Sequence, residues 1–328
     1  MRAIVVREFG DPEVLRLESV PSPSLGEGQV LVEVAYAGVN FTDTERRRGL
    51  SDKQLPWTPG IEAAGTVMAV GQDVSATLVG RRVAVAGPHA EQSGTYATNV
   101  AVSVARIYPI PDELSFETAA AVTSQGLTAY HLVHTAGSVR AGQTVLVHAA
   151  AGGVGQLAVQ LARRAGARVL GATSRAAKMA VISAMGAEPV VLDVEGRWVD
   201  TVRRATGGKG VDLVLDSVGA PTQAGSLASL APLGHLVHYG SAGGAPQPVD
   251  PEALYDLSLK VSSYWLWTPH GEQRMAEAAR AIFGLAIAGD LRAQIDAVYP
   301  LDQASEAHRR LESGASTGKL LLRMDQEV

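Results

Sequence analysis

The sequence predicts an α/β protein in which a β-rich opening segment precedes a domain built on a parallel sheet. Three observations carry this expectation. Short strand-like runs bounded by Gly and Pro fill roughly the first 120 residues. From about residue 122, strand-like and helix-like stretches alternate, the signature of βαβ units. A glycine-rich turn joins the first of those strands to the first of those helices.

In the opening segment, Val30–Tyr36 is rich in β-branched residues, Thr66–Val70 ends at Gly71, and Arg82–Ala86 ends at Gly87. Pro21, Pro23, Pro56, Pro59, Pro109 and Pro111 punctuate them, and the pattern suggests a compact barrel-like β domain. The alternating region reads as strands Thr144–His148, Ala167–Thr173, Pro189–Leu192, Val211–Asp216 and His235–Tyr239. Helices are expected at Val154–Ala165, Ala176–Met185, Trp198–Ala205 and Thr222–Leu230. Each strand is a continuous apolar run, as a strand covered on both faces requires. Beyond residue 265 the expected elements are a helix Glu272–Ala288, a strand Ala297–Leu301, a helix Ala304–Ser313 and a strand Lys319–Arg323.

Composition excludes several chemistries. The 328 residues contain no Cys, which removes disulfides, thiolate nucleophiles, Cys-ligated zinc and iron–sulfur clusters. Lys and Arg total 28 and Asp and Glu 33, a net charge of −5, without the basic excess usual in a nucleic-acid binder. No run of about 18 apolar residues suggests a membrane span, and charges interrupt Met1–Glu8 too early for a secretory signal. A cytoplasmic location is the expectation.

The stretch Val145–Ala162 holds the most informative motif. Ala150 takes the first glycine position of a dinucleotide fingerprint, followed by Gly152 and Gly155. A small residue makes the tight turn, Gly152 lets a pyrophosphate approach the backbone, and Gly155 allows close helix–strand packing. The helix start then offers free N–H groups and a positive dipole end. Ala151, Gly152, Gly153, Val154 and Gly155 are therefore expected to cradle the cofactor's phosphates. An NAD site would carry Asp or Glu at the tip of the next strand. Here the tip reads Gly171-Ala172-Thr173-Ser174-Arg175-Ala176-Ala177-Lys178, with no carboxylate. Ser174, Arg175 and Lys178 supply the hydroxyl and cations that suit a 2′-phosphate, so NADPH is the expected cofactor. Asp193, closing the third strand, serves either the adenosine or an ordinary helix cap.

Six motifs together resemble the medium-chain dehydrogenase/reductase superfamily, in its zinc-free quinone oxidoreductase (zeta-crystallin-like) branch. They are Ala37-Gly38-Val39-Asn40-Phe41-Thr42-Asp43, Pro59–Gly65, Gly126–Tyr130, Ala150–Gly155, Asp216-Ser217-Val218-Gly219 and Thr317-Gly318-Lys319-Leu320. The resemblance implies a GroES-like β-barrel catalytic domain plus a doubly wound Rossmann nucleotide-binding domain. The first part of the catalytic domain is expected over residues 1–121, the NADPH-binding domain over 122–265, and the return over 266–328. It also implies a homodimer formed through the nucleotide-binding domains, with the edge strand near Val261–Trp265. Among site residues, it implies catalytic roles for Asn40 and Tyr130, with Asn40 donating an amide N–H near the nicotinamide. Thr128, Ser217, Val218, Tyr239, Gly240, Ser241, Trp265 and Lys319 are implied to contact the cofactor.

No metal is expected. Zinc members of this superfamily carry Cys and His ligands, and Ile61 stands where their Gly-His-Glu motif has its His. The pairs His131/His134 and His235/His238 read as solvated or core residues. Without a Lewis acid, an activated acceptor is favoured, because hydride addition to a quinone or enone leaves a delocalised anion. The expected activity is therefore NADPH-dependent reduction of a small-molecule quinone or α,β-unsaturated carbonyl. An enoyl-thioester or biosynthetic-intermediate reductase is the alternative within this chemistry. A non-catalytic nucleotide- or RNA-binding protein is the alternative outside it; the charge and the intact fingerprint argue against it. The charged run Asp43–Arg48, with Glu45 where relatives carry a Tyr, reads as a solvated loop or as a reshaped substrate cleft.

Overall fold

In the computed structural model, the described residues are 1–50, 54–87, 93–193 and 195–324, with the side chains of 269–273 outside that description. The chain divides into two compact units. One joins Met1–Ser124 to Arg274–Val328; the other is Gln125–Gln273.

The first unit opens with an antiparallel pair, β1 (Arg2–Val5) and β2 (Arg16–Ser19). Then come β3 (Gln29–Val39), α1 (Phe41–Arg47), β4 (Glu62–Val70), β5 (Arg82–Ala86), β6 (Asn99–Ser103) and β7 (Ile107–Pro109). β3 alternates as a half-buried strand should, with Val30, Val32 and Val34 inside and Glu33 outside. It is four residues longer than the expected run at its two ends together, because it pairs with β4 along its length and with β6 at its start. α2 (Phe116–His131) follows, and the division between units falls inside it.

The second unit is a six-stranded sheet. Its elements are β8 (Thr144–Val147), α3 (Gly153–Arg164), β9 (Arg168–Thr173), α4 (Met179–Ala184), β10 (Glu188–Val191), α5 (Trp198–Ala205), β11 (Val211–Asp216), α6 (Ala220–Ala228), β12 (Leu230–His238) and β13 (Lys260–Ser263). The strand order is β10-β9-β8-β11-β12-β13, every pair parallel. This is the doubly wound order whose reversal point lies beside the first strand, where ligands bind at the carboxyl ends. Leu146, Leu170, Val190, Val214 and Leu236 from five strands pack with Trp198 and Val202 of α5 in one core. The helix expected over Ala176–Met185 begins instead as a 3₁₀ turn, Ala176–Lys178, before α4. α6 starts two residues early because Pro221 suits a first helical turn.

The chain returns to the first unit through α7 (Pro269–Ile287), β14 (Ile295–Pro300), α8 (Ala304–Glu312) and β15 (Lys319–Arg323). That unit's larger sheet runs β14-β15-β3-β4-β5-β7, with β6 also on β3. Its core joins Val30, Val32, Val34, Val83, Val85, Tyr96 and Leu322 to Ala304 and Ala307 of α8. Among the described residues, no helix is long and apolar enough to cross a membrane.

Candidate active site

The glycine turn of the second unit is built as its sequence requires. His148 N donates to Leu215 O at 2.9 Å and Ala150 N to Ala172 O at 3.0 Å, so the chain leaving β8 is held by both neighbouring strands. It then turns through Ala149, at φ 47°, and Gly152 N donates back to Ala149 O at 2.8 Å. A Cβ on Gly155 would lie 2.3 Å from Ala149 O and 2.8 Å from Ala150 Cα, so only glycine lets α3 start this close to β8. Ala151 is buried, while Gly152, Gly153 and Val154 are half-buried at the start of the helix. The first N–H groups of α3 have no acceptor within the helix and face the turn, which suits a phosphate.

At the end of β9, Arg175 N donates to Thr173 Oγ1 at 3.2 Å, a local bond that turns the chain outward. Ser174 and Arg175 are exposed and Lys178 is half-buried. The stretch Gly171–Lys178 thus carries a guanidinium, an ammonium and the Ser174 hydroxyl and no carboxylate. This donor set fits the 2′-phosphate of NADPH and offers nothing to accept from a free 2′-hydroxyl in the manner of an NAD site. Asp193 Oδ1 accepts from Arg197 N at 2.8 Å and so caps the approach to α5.

Asp216 organises the loops after β11 and β12. Its Oδ1 accepts from Val218 N at 2.7 Å and Gly219 N at 3.1 Å; its Oδ2 accepts from the hydroxyls of Thr222 at 2.8 Å and Ser226 at 3.2 Å. Ser226 gives its proton to Asp216, so at 2.9 Å it accepts from His148 Nε2. Ala242 N and Gly243 N donate to Ser217 O and Val218 O, fastening Tyr239-Gly240-Ser241 to Ser217-Val218. Desolvation pushes the Tyr239 phenol up to about 12, tempered by a hydrogen bond with Ser217. Thr128 and Tyr130 are half-buried on α2. The Tyr130 ring packs 4.5 Å from that of His134 and edge-on, 5.6 Å, to that of His131. Trp265 falls outside the edge strand, which stops at Ser263, and its side chain is 55% exposed.

The first unit gathers a buried polar network at the ends of three paired strands. Leu320 sits opposite Val39 and Ala63 opposite Ala37, so β15 delivers Lys319 and β4 delivers Glu62 to the point where β3 hands over to α1 at Asn40. Lys319 is 2% exposed and Glu62 is fully buried, and the two form an ion pair. The Lys319 ammonium also donates to Val39 O at 3.0 Å and Asn40 Oδ1 at 3.2 Å. Burial lowers its pKa against the pull of Glu62 and Asp43. Asn40 Nδ2 donates to Glu62 Oε1 at 3.0 Å and, over a longer 3.3 Å, to Gly38 O. Glu62 Oε2 accepts from Ser124 N at 3.0 Å. A Cβ on Gly38 would stand 2.0 Å from Glu62 Oε1, so that glycine makes room for the carboxylate. The cofactor contact implied for Lys319 thus meets a side chain turned inward, with partners for its ammonium inside this unit.

The charged run Asp43–Arg48 is not a solvated loop. Phe41–Arg47 forms α1, and Asp43, Thr44 and Arg47 are buried. Asp43 Oδ2 accepts from Asn40 N at 3.0 Å and Tyr96 Oη at 3.2 Å, and Tyr96 Oη lies 3.2 Å from His308 Nε2. Arg47 spans to α8, with Nη2 donating to Glu312 Oε1 at 2.7 Å and Nη1 to His308 Nδ1 at 3.3 Å. Desolvation raises the Asp43 carboxyl to about 6 and lowers His308 to about 3. Glu45 is half-buried, and desolvation raises its pKa too. Sequence reading singled out Asn40 and Lys319 but gave no role to Glu62, Asp43, Tyr96, His308 or Glu312. Glu62 lies inside the Pro59–Gly65 motif and Asp43 closes the Ala37–Asp43 motif; Tyr96, His308 and Glu312 join through pairings far apart in the chain.

Among the described residues, no group of three or more His, Cys, Asp or Glu side chains is placed to hold a metal ion. With no Cys in the chain and no such group among the described residues, the described residues do not fit a zinc centre.

Two families match the chain: residues 26–112 match the alcohol dehydrogenase GroES-like domain, and residues 185–322 match the zinc-binding dehydrogenase family. The quinone oxidoreductase of Lama guanicoe is 35% identical over 98% of this chain and 97% of its own. A mycobacterial structure described as a complex with NADPH has TM-score 0.93 and 36% identity, covering 98% of this chain and all of the other. The Escherichia coli quinone oxidoreductase complexed with NADPH has TM-score 0.90 and 34% identity, again over 98% of this chain and all of the other. The protein described here belongs to the quinone oxidoreductase family of the medium-chain dehydrogenases/reductases.

Proposed function

We propose that the protein is an NADPH-dependent reductase of quinones or α,β-unsaturated carbonyls that works without a metal ion. The observation that carries the reading is the glycine turn at β8–α3 beside a strand end that bears Arg175, Lys178 and Ser174 and no carboxylate. The likeness to quinone oxidoreductases, one of them described with NADPH, and to a mycobacterial structure described as a complex with NADPH supports it.

In this reading the α3 start holds the pyrophosphate, Arg175 and Lys178 hold the 2′-phosphate, and the joined loops Ser217-Val218 and Tyr239-Gly240-Ser241 hold the nicotinamide side. The bound dihydronicotinamide supplies the hydride. The acceptor gains that hydride and a proton, and its carbonyl oxygen carries negative charge on the way. Asn40 serves that oxygen with the amide N–H that donates to Gly38 O at 3.3 Å, a longer bond than its donation to Glu62 and one that yields to a developing anion. The proton comes from water. A quinone or enone suits such a site because its anion is delocalised and needs few donors in place of a Lewis acid.

We also propose a homodimer through the second unit. β13 ends the parallel sheet, and Leu233 and Tyr255 nearby are 71% and 82% exposed. Such an edge, with large apolar side chains beside it, is a template for pairing. Fluorescence titration with NADPH and NADH tests the cofactor half of the reading; equal affinities contradict it.

A further inference from the structure

We propose that the buried Glu62–Lys319 pair is a positioning device that fixes which way the Asn40 side-chain amide faces, and that Lys319 acts through Asn40 and not on the cofactor. The inference rests on the reading above, in which Asn40 serves the acceptor oxygen.

Three facts carry it. The pair is costly: a Lys and a Glu buried together often stabilise a fold no better than apolar residues of the same size. Stability therefore does not explain them. The partners come from opposite ends of the chain, 257 positions apart, and converge on one residue. Most tellingly, the amide of Asn40 is clamped by charges of opposite sign, with its oxygen against the Lys319 ammonium and its nitrogen against the Glu62 carboxylate. Turning the amide over would set N–H against N–H and oxygen against oxygen, two repulsive contacts in a site with little water to screen them. Only one orientation survives, and it carries the second N–H on a fixed line. Asp43 pins the backbone of the same residue by accepting from Asn40 N. Gly38 completes the device by leaving room for Glu62.

The test compares the wild type with Glu62→Gln/Lys319→Met, which removes both charges at near-constant volume and leaves neither unpaired, and with Lys319→Arg, which keeps the cation. Three quantities are read: NADPH affinity by fluorescence, kcat and KM with 9,10-phenanthrenequinone, and the Asn40 side-chain NH₂ resonances in a ¹⁵N-labelled protein. The double variant is expected to bind NADPH within about threefold of wild type while kcat falls about 10- to 100-fold and KM changes little. The two Asn40 amide protons, made unlike in the wild type by the Glu62 carboxylate against one and the Gly38 carbonyl against the other, should move toward ordinary positions. Lys319→Arg should recover part of kcat and of the resonance separation. A kcat within twofold of wild type in the double variant overturns the proposal. So does a tenfold loss of NADPH affinity in it, which would make Lys319 a cofactor ligand. If the wild type reduces no acceptor, the reading of function fails by itself. The Asn40 resonances then decide the positioning claim: unchanged in the double variant they refute it, shifted they support it.

Discussion

Arg47 donates to His308 Nδ1 across 3.3 Å in the interior of the first unit, and that contact sets the direction of every proton beyond it. An arginine only donates, so Nδ1 accepts and the ring proton of a neutral His308 sits on Nε2. His308 then donates to Tyr96 Oη, and Tyr96 donates to Asp43 Oδ2. One helix-to-helix salt bridge, Arg47 to Glu312, thus orders a chain that ends on the carboxylate pinning Asn40.

Arg47→Met should cost about 3–5 kcal/mol, because it strips Glu312 of its buried cation, leaving it only the more exposed Arg48, and leaves His308 Nδ1 and Gly10 O without their donor. Urea unfolding at neutral pH measures it. A loss below about 1 kcal/mol would mean that Arg47 behaves like a surface ion pair.

Asp43 gives the stability a specific dependence on pH. Its carboxyl is raised from 3.8 to about 6, chiefly by desolvation. Between those values the folded state binds the proton that the unfolded state has released. Its contribution is therefore intact below about pH 4 and is lost as pH rises through about 6. A shift of about two units corresponds to about 3 kcal/mol. His308 has the opposite slope. Its pKa is lowered to about 3 by burial and by Arg47, so it costs stability as pH falls below the usual histidine value. Asp43→Asn removes only the first effect. The stability of wild type minus that of Asp43→Asn should fall by about 2–3 kcal/mol between pH 4 and pH 7.5. A flat difference would show that Asp43 ionises in place without penalty.

Arg175→Ala should raise the NADPH dissociation constant about 10- to 100-fold and leave that for NADH nearly unchanged, the loss of one charge-assisted contact to a 2′-phosphate. An equal effect on both cofactors would assign Arg175 to the shared pyrophosphate or to the surface.

Sedimentation equilibrium should give twice the chain mass of 34.2 kDa. Leu233→Asp with Tyr255→Asp should shift the protein toward monomer without unfolding it. Both side chains are exposed, and Leu233 occupies φ 65°, a conformation that Asp adopts more readily than Leu. A wild type that sediments as a monomer contradicts the edge-strand dimer.

What the sequence revealed and what it hid follow from range. β11, α5, β5 and β15 match their expected bounds, because each is announced by its own residues: apolar runs, helical periodicity and flanking Gly. The glycine turn was legible for the same reason; Gly155 answers to Ala149 and Ala150, a few positions away. The buried network was not. Arg47 reads locally as one charge in a polar run, and only Glu312 and His308, 265 and 261 positions on, draw it inside. Lys319 reads as a cation beside a glycine until the β15–β3 register places it at Asn40. Asp193 has both a cap and a ligand in its local signal, and the bond from Arg197 N puts it in use as a cap.

The central claim is hydride transfer from NADPH to an activated carbonyl without metal. Absorbance at 340 nm, followed in chelator-treated protein with NADPH and 9,10-phenanthrenequinone, 1,4-benzoquinone or a simple enone, tests it most directly. The account predicts acceptor-dependent loss of NADPH that persists after exhaustive chelation. NADPH that binds but is oxidised by none of the three, or activity that vanishes with the chelator and returns with zinc, would contradict it.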